Sequence, residues 1–215
     1  MNQCRKILAF VLFVLLAAAS LPAQSPKVER TAPAPASASS EIKAALQEKG
    51  YRVTLADGWS AELWLVKNLK LTAQEAPGAL YPELSNSEFI GVLNLPKGMN
   101  DFRGQAIPSG TYSLRYQLLP QDANHMGISP NPDFLLAIPI SSDTNPESVY
   151  PLRKLVTLSS KATGAHPAVI AMENAGEPGT AVFNEQKMLV MTVTVPSSSA
   201  QPEGLGIVLK GQASQ

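Results

Sequence analysis

From residue 50 onward, apolar residues recur at every second position, which is the period of a β-strand with one buried face. This alternation, or a short unbroken apolar run, predicts nine strands, at 51–56, 61–67, 88–95, 111–119, 134–140, 168–172, 180–183, 188–195 and 206–209. The segment 188–195 carries the strongest signal, because methionine and valine alternate there with threonine. The segment 134–140 is almost continuously apolar, which predicts burial on both faces. Asp57 and Gly58, between the first two strands, predict a tight hairpin turn.

Residues 41–49 instead show the spacing of a short amphipathic helix. Ile42, Ala45 and Leu46 fall on one face, so this helix must pack against the sheet to be stable. Ser39 or Ser40 can cap its start and Gly50 can end it.

A second helix is predicted between the fifth and sixth strands. Val149, Leu152, Leu155 and Val156 have helical spacing, and Pro151 is tolerated only in a first turn. The helix would therefore begin near Tyr150 and end before Gly164. A strand at 154–158 is the alternative.

Short strands joined by loops rich in proline and glycine, without the long helices that parallel strands require, favour an antiparallel arrangement. We therefore predict a mainly β fold, an antiparallel β-sandwich with one or two short helices. A single domain is expected over 41–210, with a frayed tail at 211–215.

The amino terminus has the pattern of a secretory signal peptide. Arg5 and Lys6 precede a 13-residue apolar run at 7–19, shorter than the ~20 residues that span a bilayer. Small residues follow the run, and we predict cleavage after Ala23, so that 1–23 is the signal peptide. An uncleaved membrane anchor is the alternative. Residues 24–40 are rich in Pro, Ala and Ser and predict a disordered tether.

The composition argues against two further classes of function. The chain has 17 Lys and Arg against 17 Asp and Glu, so the basic excess of a nucleic-acid-binding protein is missing. Its one cysteine, Cys4, lies in the predicted signal peptide, so the mature chain would have neither a disulfide nor a thiolate nucleophile. An exported protein, periplasmic or extracellular and with no membrane span after cleavage, is expected.

The chemistry-bearing residues are few. His125 and His166 lie in loops next to predicted strands, and with Asp122 and Asp133 they could hold a transition metal if the loops meet. The alternative is that each histidine only caps its loop. Neither an HExxH motif nor a nucleophile elbow is present in the sequence.

Part of the sequence resembles a family of uncharacterised exported bacterial β-rich proteins. The resemblance rests on IPSGTYSLRY at 107–116, the DANHMG loop and DFLL strand that follow, and KATGAHPAV at 161–169. It covers about 50–172 and implies export and a β-rich fold. The family has no known activity, so the resemblance implies no mechanism.

The expectation is therefore an exported, non-catalytic binding or structural module without a cofactor. Its partner would be a protein or a carbohydrate, and Trp59 beside the hairpin turn would stack on a sugar if it were exposed rather than buried. The alternative is a metal-dependent periplasmic enzyme or metal carrier that uses His125 and His166.

Overall fold

The structure is a computed structural model that describes residues 25–72, 76–120 and 127–211. The predicted signal peptide lies outside these residues. The strands are β1 Lys27–Arg30, β2 Tyr51–Thr54, β3 Ser60–Leu65, β4 Phe89–Leu95, β5 Met99–Asn100, β6 Ala106–Ile107, β7 Gly110–Leu118, β8 Asp133–Pro139, β9 Ala168–Glu173, β10 Ala181–Phe183, β11 Leu189–Val195 and β12 Glu203–Lys210. The helices are α1 Ser40–Ala45 and α2 Leu152–Thr163, and a 3₁₀ turn follows β8 at Ile140–Ser142.

Ten of these strands form one antiparallel sheet in the order β1-β2-β3-β4-β7-β8-β9-β12-β11-β10. Most neighbours in the sheet are also neighbours in the chain, as expected for strands joined by short loops. β5 and β6 form a separate two-stranded hairpin. The prediction of a mainly β, antiparallel fold with short helices is confirmed, and each of the nine predicted strands is present.

One face of the sheet surrounds a single apolar core. Every strand except β1 contributes a buried side chain to this core, and Val28 of β1 packs against its edge. The alternation predicted for β11 places Met191 and Val193 in this core. The sheet curves far enough for Leu69, which follows β3, to form a bridge with Ser197, which follows β11.

The two helices cover the opposite, outer face. Ile42 of α1 packs with Trp64 and Phe89 over β3 and β4, and the apolar side of α2 packs on β8 and β9. Gly164 ends α2 with φ of 78°, a left-handed conformation that glycine adopts without steric cost. The helix is therefore confirmed against the alternative of a strand at 154–158.

The prediction of a disordered tether at 24–40 is wrong for the part that the structure describes. β1 pairs along its length with β2, and the Thr31 amide donates to the Gly50 carbonyl at 3.0 Å. Ala38 is buried, and Ser39 caps α1 by accepting a hydrogen bond from the Ile42 amide. The segment is held by backbone hydrogen bonds and by covering the outer face, which its low hydrophobic content does not reveal.

α1 is shorter than the predicted 41–49. Leu46 leaves the helix with an extended backbone and forms a β-bridge with Val66 beyond β3. Pairing with the sheet has displaced the last helical turn, whose propensity alone is weak in so short a segment. In the described part of the chain, neither helix has the length and apolar character needed to cross a bilayer.

Candidate functional site

An apolar pocket of about 230 Å³ lies between α2 and the outer face of β8 and β9. Its walls come from three sources: the helix, the two strands, and loop residues that precede β8 or β9 along the chain. They are Leu119, Pro120, Ile128, Phe134, Leu136, Leu152, Val156, Pro167 and Val169. Arg103 and His166 are the ionisable residues that line it.

α2 forms a fixed wall of the apolar pocket because its inner side is fastened to the sheet. Leu155 and Leu158 are buried against the strands. Ser159 is fully buried, and its hydroxyl donates to the Ala137 carbonyl at 2.8 Å and accepts from the Ala168 amide at 2.9 Å. The Ser159 side chain therefore joins α2 to both β8 and β9. Leu152 and Val156 lie on the neighbouring side of the helix, where they line the cavity.

Arg103 reaches the pocket from the turn between β5 and β6. Its Nε and Nη2 bond to Asp101, and Nη2 also donates to the Pro167 carbonyl at 2.8 Å. The Asp101 carboxylate is fully buried and also accepts the backbone amides of Arg103 and Gln105. The turn is thus pinned on itself and on the loop before β9.

His166 is exposed and lies between the apolar pocket and an adjoining open groove of about 440 Å³, which Arg103, Gly104 and Gln105 also line. Its backbone carbonyl accepts from the Thr163 hydroxyl and from the Gln105 side chain. These bonds fix the backbone of the loop, and His166 lines both cavities. The pocket therefore joins an apolar interior to a polar mouth.

The four residues proposed for a metal site are not assembled by the described part of the chain. Asp122 and His125 lie outside the described residues, so their approach to His166 stays a prediction. Asp133 is fully buried and accepts the amides of Leu80 and Tyr81 at 2.9–3.1 Å. Because its carboxylate is committed inside the fold and His166 is exposed outside, the structure does not bring these two together. Within 25–72, 76–120 and 127–211, no group of three or more His, Cys, Asp or Glu is placed to hold a metal ion.

Other buried polar groups also hold loops. Arg115 is fully buried on the outer face of β7 and pairs with Asp143 through two bonds of 2.7 and 2.9 Å. Its guanidinium also donates to the carbonyls of Ser87, Asn145 and Ser148, at 2.7–2.8 Å. This bonding fastens the segment between β8 and α2 to the sheet.

Two other cavities are less suited to enclose a ligand. One of about 150 Å³ lies at the start of β4 beside Glu88. Burial raises the pKa of the Glu88 carboxyl, against the smaller opposing effect of the bond it accepts from the Lys70 amide. The other is an open depression of about 450 Å³ beside Lys97 and Lys210.

Both tryptophans are buried. Trp59 is 6% exposed and its ring nitrogen donates to the Gly98 carbonyl at 2.9 Å, so it does not offer an open face to a sugar. Trp64 is 2% exposed and belongs to the cluster under α1.

Sequence reasoning found His166 but missed Arg103 and the cavity itself. The available signal was the width of the apolar side of α2, where Leu152 and Val156 lie beside the residues that pack on the sheet. If the apolar side of a helix is wider than its contact with the sheet, some of its apolar side chains are left to line a cavity. No family model, no curated protein and no solved structure matches this chain.

Proposed function

We propose that the protein is an exported, non-catalytic binding module whose ligand occupies the apolar pocket between α2, β8 and β9. The observation that carries the proposal is the cavity itself, which has apolar walls, a fixed helix on one side and polar groups gathered at its mouth. Ligand sites in proteins commonly combine an apolar interior with a few placed polar groups.

The use of buried charge supports a binding role over a catalytic one. Asp101, Asp133 and the Arg115–Asp143 pair are each engaged in hydrogen bonds that hold a turn or loop in position. Such groups stabilise a preformed surface, and preformed sites lose less entropy when a ligand binds.

Export rests on the signal-peptide pattern of residues 1–23. Intact-mass analysis of the protein recovered from the periplasm or medium should show a mature chain that begins at residue 24. Recovery only in the membrane fraction with Met1 retained would contradict export.

The binding role is tested with toluene, a neutral probe close in size to the benzene that fills engineered cavities of about 150 Å³. In a two-dimensional amide NMR titration, the shifted resonances should map to α2, β8 and β9. Val156→Trp places an indole in the apolar pocket and should abolish the shifts. Thr157→Trp is the matched control, because Thr157 is exposed on the same helix.

Toluene shifts that persist in folded Val156→Trp, or that scatter over the surface, would contradict the proposed site. Measurement of the metal content of the purified mature protein tests the metal-dependent alternative. A stoichiometric transition metal that is lost in His166→Ala would replace the binding proposal with that alternative.

A further inference from the structure

We propose that the apolar pocket selects a small monocarboxylate amphiphile, with an apolar body of about eight heavy atoms inside and its carboxylate at the mouth beside Arg103 and His166. This inference rests on the proposed binding function and adds the class of ligand.

The volume sets the size of the apolar body. The cavity measures about 230 Å³, roughly one and a half times the ~150 Å³ cavity that binds benzene. At the ~30 Å³ that a water-sized unit occupies in a liquid, it holds about eight heavy atoms. A chain of seven or eight carbons, or a ring with a short substituent, fills such a space.

The residues that line the two cavities indicate the charge of the ligand's head group. Arg103 and His166 are the ionisable residues among the side chains that line the apolar pocket, and both belong also to the adjoining open groove. Neither cavity is lined by an aspartate or glutamate. A ligand whose apolar end fills the pocket therefore has its other end beside the Arg103 guanidinium and His166.

Arg103 keeps donors for a ligand although it is paired. Its hydrogen bonds within the described part of the chain use Nε and Nη2, so the two N–H groups of Nη1 are free of bonds there. Asp101 holds the guanidinium in place, and a guanidinium fixed in this way is suited to donate hydrogen bonds to a carboxylate.

α2 adds to the positive field. Its twelve residues include Arg153, Lys154 and Lys161 and no acidic residue. Arg153 is exposed and follows Leu152, which lines the apolar pocket. The wall of the pocket thus belongs to a cationic helix, which favours an anionic ligand over a neutral or cationic one.

The test compares three ligands that share one eight-carbon chain, octanoate, octan-1-ol and octylammonium, by calorimetric titration of the mature protein. Octanoate should bind at least tenfold more tightly than octylammonium, with octan-1-ol between them. Along the series from butanoate to octanoate, affinity should rise about fourfold per methylene. It should then level off for decanoate, because the cavity is full.

His166→Gln should weaken octanoate about threefold and leave octan-1-ol unchanged, since the exposed imidazole contributes only through the head group. Lys154→Gln is the matched control. It removes a cation from a helix position that does not line the cavity, so it should weaken octanoate by much less than threefold and leave octan-1-ol unchanged.

The outcomes separate the two proposals. If toluene shifts the pocket resonances but octanoate binds no better than octylammonium, the carboxylate inference is overturned and the binding function stands. If neither toluene nor any eight-carbon ligand binds, both fail. Equal octanoate affinity for the wild type and folded Val156→Trp would place the binding elsewhere and overturn the inference.

Discussion

Removing the guanidinium of Arg115 should destabilise the domain more than the loss of any exposed ion pair. In Arg115→Met, the Asp143 carboxylate stays fully buried without its partner, and the carbonyls of Ser87, Asn145 and Ser148 lose their donor. Breaking a buried pair from one side costs about 3–5 kcal/mol. That is a large part of the ~5–15 kcal/mol by which domains are stable.

Equilibrium unfolding in urea, followed by tryptophan fluorescence, measures this cost. At roughly 2–4 °C per kcal/mol for a chain of this size, the melting temperature should also fall by about 10 °C. Lys70→Met is the control, because the Lys70–Glu147 pair has side chains 62% and 67% exposed. Its removal should cost less than about 1 kcal/mol.

A double-mutant cycle identifies the source of the cost. Asp143→Leu alone leaves the Arg115 cation buried, whereas Arg115→Met with Asp143→Leu removes both charges. The double variant should therefore be more stable than the sum of the single effects predicts, by about 2 kcal/mol. A cost below about 1 kcal/mol for Arg115→Met, or strictly additive effects, would refute the reasoning.

Three further perturbations test the core, the backbone and a buried phenol. Val193→Asp should abolish the cooperative thermal transition followed by circular dichroism, since Val193 is fully buried, whereas Thr194→Asp on the other face should leave a transition intact. Gly91→Ala should prevent folding because its Cβ would lie 2.1 Å from a backbone oxygen, whereas Gly164→Ala, at φ of 78° with no atom within 4 Å, should cost about 1 kcal/mol in urea titration. Burial raises the pKa of Tyr81 from 10.0 to about 12. The unfolded chain then loses this proton first, so the contribution of Tyr81 to stability should be constant below about pH 10 and fall up to about pH 12. Because burial also raises the pKa of Tyr112 and Tyr116, Tyr81→Phe should make the fall in stability shallower without removing it, and an equal fall in Tyr81→Phe would contradict the assignment.

The strands were predictable where one face meets the core, and less so where hydrogen bonds alone define them. β11 alternates as its sequence indicates, with Val193 inside. β1 has no fully buried residue, so its sequence pattern does not indicate a strand, although its backbone pairs with β2 and the Arg30 guanidinium lies over the Tyr51 ring. β5 and β6 are two residues each, too short for a period.

What covers the outer face could not be predicted from periodicity. Ser113, Arg115 and Gln117 alternate with apolar residues along β7 and look like a solvent-facing row, yet all three are buried. The segment around Asp143 lies over Arg115, and such coverage is set by residues distant in the chain. The apolar pocket has the same origin, because it is the space that α2 leaves uncovered on β8 and β9.

The position of β12 has a consequence for how the chain folds. β12 is the last strand of the described residues, yet it lies inside the sheet between β9 and β11. Until residues 203–210 have been synthesised, β10 and β11 lack the strand that joins them to β9, and the core stays open along that side. Pairing of distant segments also makes folding slow. The protein is therefore expected to complete its folding only after residues 203–210 have been synthesised. Its core is not closed before that point.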